Sequence, residues 1–100
     1  LAALNGANPN TNAILNANAQ ASFKRNLTVG SIGDDVKALQ VWLNTHGYVI
    51  ARSGPGSTGN ETTRFGAFTR AALIKFQLAR GITPALGYFG PKTRAAMATQ

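Results

Sequence analysis

A stretch of ten residues occurs twice in this chain, 24 positions apart. The first copy is Arg64-Phe65-Gly66-Ala67-Phe68-Thr69-Arg70-Ala71-Ala72-Leu73. The second is Tyr88-Phe89-Gly90-Pro91-Lys92-Thr93-Arg94-Ala95-Ala96-Met97. Phe-Gly-x-x-Thr-Arg-Ala-Ala is common to both. A repeat of this kind implies one supersecondary unit used twice, each copy burying its apolar face against the other. With 100 residues in all, both copies belong to one small domain with a modest core.

Apolar spacing around the repeat is helical. Val36, Leu39, Gln40 and Leu43 fall at the i, i+3, i+4, i+7 positions of one face. Ser31 is the expected cap of this first helix, with Asp34 three residues on in a capping-box arrangement and two acids in the first turn. Gly47 stops it after His46. The first repeat copy opens a second helix, in which Thr69, Ala72, Leu73 and Phe76 share a face and Gly81 is the stop. The second copy opens a third, with Pro91 at the first-turn position that proline favours and with Thr93, Ala96 and Met97 in the same phase.

Leu27-Thr28-Val29 and Tyr48-Val49-Ile50 read as short extended links, and Ser53 to Asn60 as a loop. The expected fold is therefore all-α. It is a small three-helix orthogonal bundle with an internal repeat and short extended links, covering residues 23–100 and preceded by an irregular N-terminal arm. That arm, residues 1–22, is uncharged and rich in Ala and Asn, with Ile14 and Leu15 in its apolar cluster. It reads as a linker, or as a segment that orders against a partner or a second copy.

Ten Lys and Arg against three acids give a net charge of +7, which favours anionic partners. The cations are dispersed, with no dense basic arm and no nucleic-acid motif, so nucleic acid is the weakest of the candidate partners. The absence of cysteine excludes disulfides, thiol nucleophiles and zinc-thiolate sites. No stretch is long and apolar enough to span a bilayer. The opening residues carry no basic-then-apolar leader pattern. A start at Leu1 agrees with a processed product or a piece of a longer chain.

The compact part resembles the peptidoglycan-binding domain family, small three-helix modules attached to many cell-wall hydrolases. The resemblance rests on Gly30-Ser31-Ile32-Gly33-Asp34-Asp35-Val36-Lys37-Ala38-Leu39-Gln40, on Leu43 through Tyr48, on Phe65-Gly66 with Thr69, Ala72 and Phe76-Gln77, and on Gly87 through Thr93. It covers residues 27–98. The first copy departs from the second at Thr63 (Gly87 in the second) and Ala67 (Pro91). The linker from Ile50 to Thr63 is also longer than its counterpart. The resemblance implies that this linker borders the ligand region.

Catalysis finds little support. His46 is explained by its helix-end position, Asp34 and Asp35 by helix initiation, and no partner set for acid–base, nucleophilic or metal chemistry is spaced for the task. No catalytic residue, metal or cofactor is expected. Phe65 and Phe89 are expected core plugs. Thr69 and Thr93, with Gln40 and Gln77, are expected to bond the backbone of neighbouring loops.

The expected ligand contacts are the aromatic and cationic residues Tyr48, Arg64, Arg70, Tyr88, Lys92 and Arg94. Arginine can hold the free carboxylates of peptidoglycan stems through paired hydrogen bonds, and a tyrosine ring can cover an apolar sugar face. Phe68 stands where the other copy has Lys92, so it should be partly exposed. Trp42 flanks the first helix's apolar stripe, where it either closes the core edge or joins Phe68 as a partner-contact patch.

The leading expectation is a secreted, non-catalytic wall-binding module, extracellular or in the cell envelope. It would anchor or target what it is joined to. The alternative is a structural subunit of a surface layer, filament or phage-related assembly. Its contacts would be Ile14 and Leu15 of the arm together with Trp42 and Phe68, and residues 1–22 would build the homo-oligomer or polymer.

Overall fold

The structure, a computed structural model, describes residues 23–98. Residues 1–22, with the partner-contact candidates Ile14 and Leu15, lie outside the described residues. The described part is all-α. Helix α1 is Asp34–Thr45, α2 is Ala67–Ala79 and α3 is Pro91–Ala98. The links contain two isolated antiparallel bridges, Leu27 with Phe89 and Ile32 with Arg64.

The helical spacing translates directly into burial. Helix α1 buries Val36, Leu39, Gln40 and Leu43, and α2 buries Thr69, Ala72, Leu73, Phe76 and Gln77. Helix α3 buries Thr93 and Met97, with Ala96 packed against the same core. The links complete the core with Phe23, Leu27, Ile50, Phe65 and Phe89. Both repeat phenylalanines are therefore core plugs, at 1% and 0% exposure. Phe23 meets Phe89 edge-on at 5.0 Å. Helices α1 and α2 end two residues before Gly47 and Gly81, both of which take left-handed backbone as such stops require.

The capping expectation at the first helix is corrected. The N-cap of α1 is Gly33, with no side-chain cap bond. Ser31 Oγ instead accepts from Thr28 N at 3.0 Å, closing the turn that precedes the helix. Ser31 is drawn away because its backbone pairs with the first repeat, Phe65 N donating to Ser31 O at 3.0 Å. The acid that serves the helix start is Asp35, whose Oδ1 accepts from Val36 N. Arg25 donates to both Asp35 oxygens, at 2.7 and 3.0 Å, and to Ile32 O. That guanidinium is the main cause holding the Asp35 carboxyl below the usual range.

The Tyr48–Ile50 link forms no strand and takes part in neither bridge among the described residues. Its order comes from Asn44. Asn44 Oδ1 accepts from Ile50 N, and Asn44 Nδ2 donates to Gly56 O and to Glu61 Oε2, each at 2.9 Å. The Asn44 amide is also the first cause of the lowered Glu61 pKa. One side chain on α1 thus shapes the long linker.

Candidate functional site

Each repeat copy hangs on a buried glutamine. Gln40 Nε2 donates to Arg64 O at 2.8 Å and to Thr69 Oγ1 at 3.0 Å, and Gln40 Oε1 accepts from Thr62 N at 2.7 Å. Gln77 does the same for the second copy. Its Nε2 donates to Tyr88 O at 2.8 Å and to Thr93 Oγ1 at 3.1 Å, and its Oε1 accepts from Gly87 N at 2.9 Å. Both glutamines are 1% exposed. A buried amide must satisfy its donors and acceptor, so each pins a loop to the helix it precedes. The expectation that the glutamines bond loop backbone holds. The threonine hydroxyls accept from the glutamines, so each copy is a closed glutamine–loop–threonine unit.

Above each unit lies a cleft. The first, of about 430 Å³, sits at the start of α2, with Gln40 and Thr69 in its floor and Ile50, Pro55, Arg64 and Phe68 around it. The second, of about 500 Å³, sits at the start of α3, with Gln77 and Thr93 in its floor and Thr83, Leu86, Tyr88 and Lys92 around it. Both volumes fall in the range of small-molecule sites.

Phe68 is 67% exposed, as its correspondence with Lys92 required. It also borders a further hollow that holds Arg52 and Lys75. The ring therefore stands as a ridge, with Arg64 on one side and two more cations on the other. Arg52 and Lys75 escaped the sequence reading. Lys75 lies seven residues after Phe68 on α2, a same-face spacing that carried the signal. Arg52 lies in a loop, where no periodicity could mark it.

Of the expected ligand residues, the structure brings Tyr88 and Lys92 together in the second cleft and places Arg64 in the first. Tyr48 lines neither, and its ring packs edge-on to Phe76 at 5.5 Å. Arg70 donates from Nε to Leu86 O at 3.1 Å. Arg94 donates from Nη1 to Asn26 Oδ1 at 2.7 Å. These two arginines, equivalent in the repeat, each tie a link to a helix. Trp42 is half-buried against the core, stacked on His46 at 3.8 Å and edge-on to Phe76 at 5.1 Å. It closes the core edge, and neither repeat cleft nor the hollow beside Phe68 includes Trp42.

Two of the three acids are committed to structure. Asp35 is paired with Arg25. Glu61 accepts from Asn44 and from Gly59 N. Among the described residues no group of three His, Cys, Asp or Glu could hold a metal ion. No described helix is long and apolar enough to cross a membrane. Each of the two repeat clefts carries a ring and a cation, Phe68 with Arg64 and Tyr88 with Lys92.

The model of the peptidoglycan binding domain matches residues 32–97. The chain belongs to the peptidoglycan-binding domain family. The match spans both glutamine units, both clefts and all three helices except the last residue of α3. No curated protein and no solved structure matches the chain. Membership associates the chain with the cell wall or envelope, and a peptidoglycan-binding domain has both sugar faces and stem-peptide carboxylates to recognise.

Proposed function

We propose that this domain is a non-catalytic module that holds a secreted protein on peptidoglycan, and that it does so through the cleft at the start of α2. The observation that carries the reading is the exposed Phe68 ring with Arg64, Arg52 and Lys75 about it. An aromatic face covers the apolar C–H face of a sugar. A guanidinium pairs with a carboxylate through two parallel hydrogen bonds. The cation set suits an anionic polymer, and the glutamine unit beneath holds the cleft in shape before ligand arrives, which limits the ordering cost of binding.

Retention on purified sacculi tests this. The full chain is expected to be retained, with retention weakening as salt rises because the exposed cations are screened. Phe68→Ala with Arg64→Ala should lower retention roughly ten-fold or more, the loss of about 1.4 kcal/mol or more of contact energy. Unchanged retention by that variant would remove the cleft from the proposal.

A second reading, a subunit of a surface assembly, draws on the exposed apolar side chains Ile32, Phe68 and Leu78, each at 66–67%. It expects a mass in solution that grows with concentration and falls when residues 1–22 are deleted. Light scattering separates the two readings, since the wall module stays monomeric.

A further inference from the structure

We infer that the cleft at the start of α3 is a second peptidoglycan site, so that one domain grips the same polymer at two points. The inference rests on the wall-binding reading of the first cleft. It commits the second cleft to a further disaccharide–peptide unit of that polymer.

Four observations lead to it. First, the floors match atom for atom. Gln77 with Thr93 and Tyr88 O repeats Gln40 with Thr69 and Arg64 O, at distances within 0.1 Å of one another. Second, the rims carry the same two chemistries in reversed order. Arg64 and Phe68 of the first cleft correspond to Tyr88 and Lys92 of the second. Each cleft thus keeps one ring for a sugar face and one cation for a carboxylate.

Third, the second ring lies against its loop. A Cβ built on Gly90 would come within 2.8 Å of Tyr88 Cε2, so the ring lies across the glycine at the cleft mouth. Gly66, its counterpart, has open space there. Fourth, among the described residues the Lys92 ammonium makes only one long bond, 3.5 Å to Thr83 O. With three donors, it retains capacity for an anionic ligand. A repeating ligand engaged at two points gains affinity through effective concentration, without any new kind of contact.

The test is a titration of the isotope-labelled full chain with the disaccharide–tetrapeptide released from sacculi by a muramidase. Amide NMR signals give the readout, and sacculus retention is measured alongside. Two separate groups of amides, near 62–69 and near 86–93, should shift. Tyr88→Ala with Lys92→Ala should silence the second group and leave the first. Retention on sacculi should fall roughly 10- to 100-fold as bivalency is lost. The single surface change Lys92→Glu should move both readouts in the same direction and guards against misfolding of the double variant.

A response confined to the 62–69 group, or unchanged retention of both variants, overturns the second site while the wall-binding reading stands. Failure of the unmodified chain to stay on sacculi removes that reading and this inference with it. If the monomer fragment moves neither group but sacculi are bound, retention of the two variants decides alone.

Discussion

The two repeat copies share a floor and differ in how the chain reaches it. In the first copy Gln40 Oε1 is met by Thr62 N, two residues before the carbonyl that Gln40 donates to. In the second the corresponding donor is Gly87 N, directly before Tyr88. The shorter route forces the second link close against α2. A Cβ on Gly87 would run into the Arg70 side chain and approach Arg70 O at 3.0 Å, on a backbone with φ of 76°. The first copy has room and carries an exposed threonine there. The Thr63/Gly87 difference between copies is thus a packing requirement of the shorter link.

The longer link of the first copy is shaped instead by Asn44 and Glu61, and it forms one wall of its cleft. The lesson is that one repeated element supports two different loops, provided that each loop returns its backbone to the same glutamine.

The largest test of this comparison removes the glutamines. Gln77→Ala leaves Gly87 N, Tyr88 O and the Thr93 hydroxyl without their partner in a buried site, at about 3–5 kcal/mol by denaturant unfolding. Gln40→Ala should cost as much. A much smaller loss at either would show that water replaces the amide and that the floor is not a shared requirement.

Next, Gly87→Ala should cost about 2–4 kcal/mol, from left-handed backbone and overpacking together. The reciprocal Thr63→Gly should cost less than about 1 kcal/mol. Equal losses would break the account of the two routes. Asn44→Ala should cost about 1–3 kcal/mol, with faster amide exchange over 50–61 and little change over 82–90.

The smallest effect is in acid. Asp35 and Glu61 are both more acidic folded than the usual carboxylate, chiefly through Arg25 and Asn44 respectively. Each therefore contributes stability that is present above the unfolded value near about 4 and is lost as pH falls through its lower folded value. Thermal stability should be level from pH 7 to about 5 and decline below about 4. Opening should begin in the 50–63 link, because the second copy carries no acid at all. Arg25→Ala should flatten that acid decline.

Much of this molecule was legible in its sequence. The apolar spacing identified the buried face of all three helices, including Gln40, and the repeat pointed to Phe65 and Phe89 as core. Phe68 was read as exposed because a lysine replaces it one copy later. What failed was local. Ser31 looks like a helix cap, yet its backbone is engaged by Phe65 and its hydroxyl by Thr28. Nor does the sequence carry a signal for the contacts of three expected ligand residues: Tyr48 packs on Phe76, Arg70 bonds Leu86 O and Arg94 bonds Asn26.

The sequence by itself determined the number of helices, their buried faces and the family, because periodicity and repetition are properties of the chain that need no knowledge of what packs where. Only the tertiary structure decided which cations and rings share a cleft. That depends on where the links place Arg52, Arg64, Tyr88 and Lys92, and the links follow side-chain hydrogen bonds from residues distant in sequence. Burial follows a local period, whereas a site is a meeting of residues for which the chain carries no local signal.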